Sequence, residues 1–390
     1  MQRRSLIFVL AALSMLGALS IDAYLPALPS IAHGFSVSAP AVQQTLTVYL
    51  FAFAFMTLFY GTLSDSFGRR PVILVSMTLY ALSSLGAGLA PSLGWLLFFR
   101  FLQGLTAGAG GVVGRAIVGD LFTGAAAQRT MSYISMVFGL APAIAPILGG
   151  WLQAAFGWRS IFGFIALFSF LLLLVCLREL PESLPREKRH PFHFRVIVAN
   201  YWKVGCHARF ICKCLGIALA FSGILIYVGA APAFVLNILH LSVTEFGWLF
   251  IPLIGGMTLG SMVSGKLSHH HSPHAMIRAG YLIMILSVAA NLTYTGFCAV
   301  EIPWAVLPMF FYGFGMALAT PAMTVMTLEM FPAYRGLASS LQSFTFMIVF
   351  ALGSGLVCPL LFGSAFLLAL GSAIGLGLSM ACWGWGRCLR

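Results

Sequence analysis

"GTLSDSFGRRP", residues Gly61–Pro71, lies between two long apolar runs and spends three formal charges, Asp65, Arg69 and Arg70, within a few positions of one another. Elsewhere the chain is sparing with charge. Of 390 residues only 8% are charged, 60% are hydrophobic and the mean hydropathy is +0.99. A soluble domain carries about a quarter charged residues. There is too little charge here to cover a globular surface, so the bilayer is the solvent and the quoted stretch is a loop between membrane-spanning helices.

A spanning helix needs roughly 20 mostly apolar residues. That ruler predicts twelve, at about 5–25, 41–63, 72–90, 95–118, 130–153, 159–178, 210–232, 243–265, 275–297, 303–327, 336–359 and 363–385. The first run, after Arg3 and Arg4, resembles a signal peptide but is too long for one. Of the 21 lysines and arginines, eighteen fall on one side of the membrane if the N-terminus is cytosolic, and only Arg159 falls on the other. The positive-inside rule therefore places both termini in the cytosol. The net charge of +12 is orientation charge scattered over loops; no basic face for nucleic acid is present in it.

The longest polar stretch divides the chain into an N-terminal six-helix half over 1–178, a cytosolic linker over 179–209 and a C-terminal six-helix half over 210–390. Within the linker, "HPFHFRVIVANYWKVGCHARF" mixes basic and apolar residues, which suits either a plain connection or an amphipathic helix on the inner leaflet. The halves echo each other. "GTLSD" from Gly61 and "GKLSH" from Gly265 are 204 residues apart, and Asp120 and Glu329, after the fourth and tenth helices, are 209 apart. Two markers at nearly one offset point to a duplicated six-helix unit, as in secondary transporters.

In the opening loop, Gly61 lets neighbouring helices approach, Gly68 permits a tight turn, and Arg69 and Arg70 can pair with acids at helix ends, Asp120 first among them. Two arginines alone fix topology. The full pattern G-x-L-x-D-x-x-G-R-R resembles the signature loop of the major facilitator superfamily, which latches the cytosolic face in that family. In the second half it is degraded, with His269 in place of the aspartate. "RFLQGLTAG" from Arg100 is similar to the family's fourth-helix motif, and "GLAPAIAPILGG" from Gly139 to its antiporter motif, with Pro142, Pro146, Gly149 and Gly150. Ala145 before Pro146, together with "IDAYLPALPSIA" from Ile21, resembles the bicyclomycin-resistance (Bcr/CflA) branch of drug exporters. The resemblance implies an all-α membrane fold of two six-helix halves and a cavity reached by Asp22, Tyr24, Arg100 and Gln103. It also implies a cytosolic gate of Gly61, Asp65, Gly68, Arg69, Arg70 and Asp120.

An ionisable group inside a membrane is costly unless paired or wetted, and so is a functional candidate by default. Asp22 is the one acid well inside a predicted span. At 1.5 Å per residue, Asp22 near the end of helix one and Arg100 near the start of helix four both lie roughly 5–8 Å below the outer surface. The pair is the proton-coupling candidate: burial and the arginine pull on the proton in opposite senses, and a proton or a substrate tips the balance. Two blander readings stand beside it, Asp22 as a helix-end cap and Arg100 as a structural arginine. Arg115, deeper, snorkels or meets Asp120. Prolines and glycines of helix five permit a kink and a close helix contact.

The eight cysteines form no C-x-x-C pair and are read as reduced apolar packing; the histidines from His269 to His274 are read as a solvated basic patch, and the sequon at Asn291 lies inside a helix. No catalytic constellation, metal site or cofactor motif is found, so the expectation is no enzyme. The function expected is proton-coupled export of small amphipathic drugs across a bacterial inner membrane, by a monomer whose partners are lipid, protons and the drug. A transporter of one metabolite, such as an amino acid, is the alternative.

Overall fold

The computed structural model describes residues 2–189, 194–268 and 270–388, and every regular element among them is helical. Eleven helices are long and apolar enough to cross a membrane: Ser5–Phe35, Ala39–Thr57, Arg69–Gly88, Leu93–Leu121, Ala126–Phe156, Arg159–Glu179, Gly247–Leu267, Pro273–Phe297, Leu307–Leu328, Arg335–Leu361 and Ala365–Gly386. A twelfth forms if Ala208–Ala220 and Ser222–Gly229, bent by 49°, are one span, the seventh in chain order. The residues cluster into two compact units, Met1–Ala199 and Asn200–Arg390. The connecting stretch contains a helix over Phe194–Gly205; residues 190–193 at its basic start, His269 and Arg390 lie outside the described residues.

Three spans depart from the expected bounds for reasons the backbone explains. The first was expected to end near Leu25 but runs to Phe35. Pro26 cannot donate to the Asp22 carbonyl, so the α-helix stops at Asp22, yet Pro26 and Pro29 each suit the first turn of a new segment. A 3-10 turn (Leu25–Ala27) and a short helix (Leu28–Phe35) follow. Asp22 is therefore near the middle of its span, not a few residues below the surface. The fifth helix starts early, at Gly124, and runs 33 residues through Pro142 and Pro146 without interruption. The seventh breaks at Phe221 and is followed by a π-helix over Ala233–Ile238.

Glycines set the tightest helix contacts, as expected where apolar lipid supplies no driving force and close backbone approach must. In unit 1 a Cβ at Gly110 would lie 2.8 Å from the Leu13 carbonyl carbon, and one at Gly104 would lie 3.0 Å from that of Tyr49. Gly61 is not such a contact: nothing stands within 4 Å of where its Cβ would be. It sits on a face of the short helix Tyr60–Phe67 that no neighbouring helix covers. In unit 2 the eighth and tenth spans meet in the same manner, Gly256 and Gly260 against the carbonyls of Phe310 and Phe314. Gly313 lies against the Leu253 carbonyl as Gly104 lies against that of Tyr49. Tyr49 and Leu253 are 204 residues apart, Gly104 and Gly313 209, the two offsets the sequence markers show.

Candidate functional site

Within unit 1 one face of the first span receives polar side chains from three others. Leu16, Gly17, Ser20 and Tyr24 recur at helical spacing on that face. The Tyr80 hydroxyl donates to the Leu16 carbonyl at 3.3 Å and the Tyr49 hydroxyl to the Gly17 carbonyl at 3.2 Å. Arg100, wholly buried, donates through Nη1 to the Ser20 carbonyl (3.3 Å), the Ser20 hydroxyl (3.2 Å) and Gln103 Oε1 (3.1 Å). Gln103 passes the chain on to Ser84 Oγ at 2.7 Å, which in turn donates to the Tyr80 carbonyl. The guanidinium carbon lies 4.6 Å from the Tyr24 ring centre and 4.2 Å from that of Tyr49, and the Tyr24 hydroxyl bonds Thr45. Desolvated cation–π contacts are worth about 2 kcal/mol each, which helps to hold a cation where water is absent. Two of its donors, Nε and Nη2, are buried and donate to nothing among the described residues.

Asp22 is 5% exposed, and no hydrogen bond or ion pair reaches it among the described residues. The switchable pair expected with Arg100 is thus not formed in this conformation. Azimuth is the reason: at about 100° per residue, Asp22 is turned roughly 200° from Ser20, the residue Arg100 grips. Depth brought the two helices to one level; it did not aim the side chains at each other. Asp22 instead adjoins the antiporter-type motif. Gly149 of the fifth helix rests on the residue after it, so that a Cβ there would lie 2.7 Å from the Ala23 carbonyl carbon; Pro146 and Gly150 are buried beside it and Pro142 is half-buried. Gly149→Ala should force the first and fifth spans apart at Asp22. We expect a loss of about 3 kcal/mol, the upper end for overpacking, seen as a lower unfolding midpoint in detergent and several-fold weaker transport.

The quoted loop forms a second polar cluster at the far end of unit 1. The helix stops at Phe67, turns at Gly68 (φ 99°, ψ 154°) and restarts at Arg69. Arg69 pairs with Asp65 at 2.5 Å and through Nε with Asp120 at 3.1 Å, and donates to Ser64 Oγ. Arg70 donates to the Leu177 carbonyl at 2.7 Å. The sequence does not single out the cover over this cluster. Glu182 Oε1 accepts from the amides of Arg69 and Leu184, both at 3.0 Å, Glu182 Oε2 accepts from Arg189 Nη2, and Ser183 donates to Asp120. A Cβ at residue 68 would lie 2.6 Å from Arg189 Nη2. Gly68→Ala thus meets a backbone region nearly closed to other residues, at about 1–3 kcal/mol, and a clash with the cover. Trypsin cleavage after Arg186 and Arg189 should accelerate about tenfold.

The remaining candidates are quieter. Glu245, in the turn before the eighth span, accepts from the amide and hydroxyl of Ser242 at 2.8 and 2.7 Å, and the backbone bond first and the hydroxyl second hold it below the usual carboxylate range. The seven cysteines with described side chains are free, and no group of three metal-ligating residues forms among the described residues. The ion pairs Arg69–Asp65, Arg69–Asp120 and Arg189–Glu182 lie in unit 1; Glu329, the counterpart of Asp120, is exposed. At the 209-residue offset Arg100 and Gln103 correspond to Met309 and Tyr312, both fully buried. Unit 2 keeps a buried cation of its own, Lys213 in the seventh span, with its ammonium 5.4 Å from the Trp383 ring centre.

Among the described residues, eleven apolar spans, twelve with the bent seventh, lie in two compact units and define a multi-pass membrane protein of transporter type. The family description "Major Facilitator Superfamily" matches residues 10–354, and the chain belongs to that family. It is 32% identical over 346 residues to the bicyclomycin resistance protein homolog of Haemophilus influenzae, covering 87% of this chain and 86% of that one. It is 28% identical over 361 residues to the multidrug transporter MdfA of Yersinia pestis, covering 90% and 86%. Among solved structures, the D-xylose-proton symporter superposes with a TM-score of 0.79 over 98% of each chain at 16% identity, a likeness of fold.

Proposed function

We propose that the protein exports small amphipathic drugs or toxic compounds in exchange for protons, across the inner membrane of a bacterium and as a monomer. The observation that carries the reading is Asp22, a carboxyl buried mid-span with no partner. An ionised carboxylate there needs a counter-charge or water, and no cation pairs with this one among the described residues. Such a group takes a proton on one side and gives it up on the other. When the proton leaves, the idle Nε and Nη2 of Arg100 offer a two-point fork for the carboxylate. Arg100 then has to release Ser20, which ties protonation to a shift of the fourth span against the first.

The names of the relatives, a bicyclomycin resistance protein homolog and a multidrug transporter, support drugs as the cargo. The distribution of basic residues supports cytosolic termini and a cytosolic Gly68 loop, whose ion pairs then form the gate on that side. Each unit charge that crosses adds roughly 2.3 kcal/mol of drive per 100 mV. The test is proton movement in energised inverted vesicles bearing the protein. Chloramphenicol-like and cationic drugs are added while lumenal acidity is followed, and drug-dependent proton release is the expected result. Release with none of the drugs, together with saturable uptake of one metabolite, would favour the amino-acid-type transporter instead.

A further inference from the structure

Arg115 lies in the second segment of the fourth span, Ala109–Leu121, and takes no part in either cluster described above. Its only hydrogen bond among the described residues runs from Nε to the carbonyl of Gly111, one turn back in its own helix, at 2.9 Å. It does not reach Asp120, which is occupied by Arg69 and Ser183. The bond also turns the side chain away from the near end of the span. Arg115 is six residues from Leu121, about 9 Å, and the bond to Gly111 carries the guanidinium a few Å further in. A snorkelling arginine would point the other way.

The surroundings say which medium it meets. Arg115 is exposed, and at Gly111 and Gly119, one turn to either side of it, nothing stands within 4 Å of a would-be Cβ. The lipid-facing surfaces of this unit are made of large apolar side chains, such as Leu79, Leu82 and Leu85 on the third span and Phe170, Leu171 and Leu174 on the sixth. The strip around Arg115 holds glycine and a cation. An unpaired guanidinium inside a membrane span needs water or an anion to persist. Its two Nη groups donate to nothing among the described residues.

We propose that Arg115 is a substrate-binding residue that receives an anionic group, a carboxylate or comparable oxyanion, so that anionic or zwitterionic amphiphiles are the preferred cargo. The proposal rests on the export reading for its context, and its chemistry is separate from that of Asp22. Planar guanidinium suits two-point recognition of such groups, and the same charge repels lipophilic cations from the strip.

Two xanthene dyes of like size and opposite charge make the test: fluorescein, an anion, and rhodamine 123, a cation. Binding to the purified protein is read by fluorescence anisotropy, for the native chain and for Arg115→Gln and Arg115→Lys. Neither variant should alter thermal unfolding, because the arginine bonds only its own helix. The native protein should bind fluorescein more tightly than rhodamine 123; Arg115→Gln should weaken fluorescein about tenfold and leave rhodamine 123 unchanged or improved, and Arg115→Lys should fall between. No fluorescein binding by the native chain, or equal binding by Arg115→Gln, overturns the proposal. Displacement of the dye by a small mole fraction of phosphatidylglycerol assigns the guanidinium to lipid phosphate and overturns it too. Chloramphenicol export in the vesicle assay is read in parallel. Export without dye selectivity sinks this proposal alone, whereas selective dye binding without any export sinks the export reading alone.

Discussion

Asp22→Asn should abolish drug-dependent proton release from energised inverted vesicles, a loss of about a hundredfold or more, while the variant still folds and binds drug. Asparagine has nearly the shape of a protonated aspartic acid and cannot ionise. At a position where the side chain meets no partner, the exchange removes no bond and leaves the first span seated on Gly149. Structure and ligand binding should therefore survive while coupling does not. A hundredfold effect corresponds to about 2.7 kcal/mol. Drug binding in detergent, measured alongside, separates the two. If proton release survives the substitution, Asp22 is not the carrier. If binding is lost with it, the aspartate is a cap or a drug contact and the coupling role fails.

Arg100→Lys should be nearly as damaging, though it keeps the charge. The guanidinium lies against two tyrosine rings and holds Ser20 and Gln103 with Nη1 while Nε and Nη2 stay free. Lysine offers a compact ammonium in place of that plane, with no fork for a carboxylate. We expect transport to fall about 30-fold, roughly 2 kcal/mol, with a smaller loss of thermal stability. Gln103→Glu tests the same network from its other end, since it gives Arg100 a permanent counter-charge one helical turn away. If Arg100→Lys transports normally, the arginine is only a structural cation and the fork is irrelevant.

The residues that carry these effects were legible in the sequence to different degrees. A charge in an apolar run stands out, so Asp22, Arg100 and the Asp65–Arg69–Asp120 cluster could be named from composition and spacing. Their partners could not. Ser20, Ser84, Tyr49 and Tyr80 are ordinary members of membrane helices until the fold aims them at one face of the first span. Glu182 and Arg189 lie in a stretch already rich in charge, where nothing marks one acid above another. Depth was readable from helix rise, and even that failed for the first span, because Pro26 ended one helical segment and began the next. Azimuth requires the packing itself, which is why the Asp22–Arg100 pair was expected and is not formed. Gly61 was singled out for closeness while the close contacts belong to Gly104, Gly110 and Gly149; which glycine meets a neighbour depends on that same rotation.

The seam in unit 2 has a mechanical meaning. Gly256 and Gly260 set one backbone directly on the carbonyls of Phe310 and Phe314, with no side chain at those two contacts. At these two points no rotamer change can absorb a displacement, so the eighth and tenth spans should move together. The tenth alone runs 22 residues, about 33 Å at 1.5 Å per residue, enough to bridge the membrane. A push delivered at one face of the bilayer is therefore felt at the other with little lost on the way.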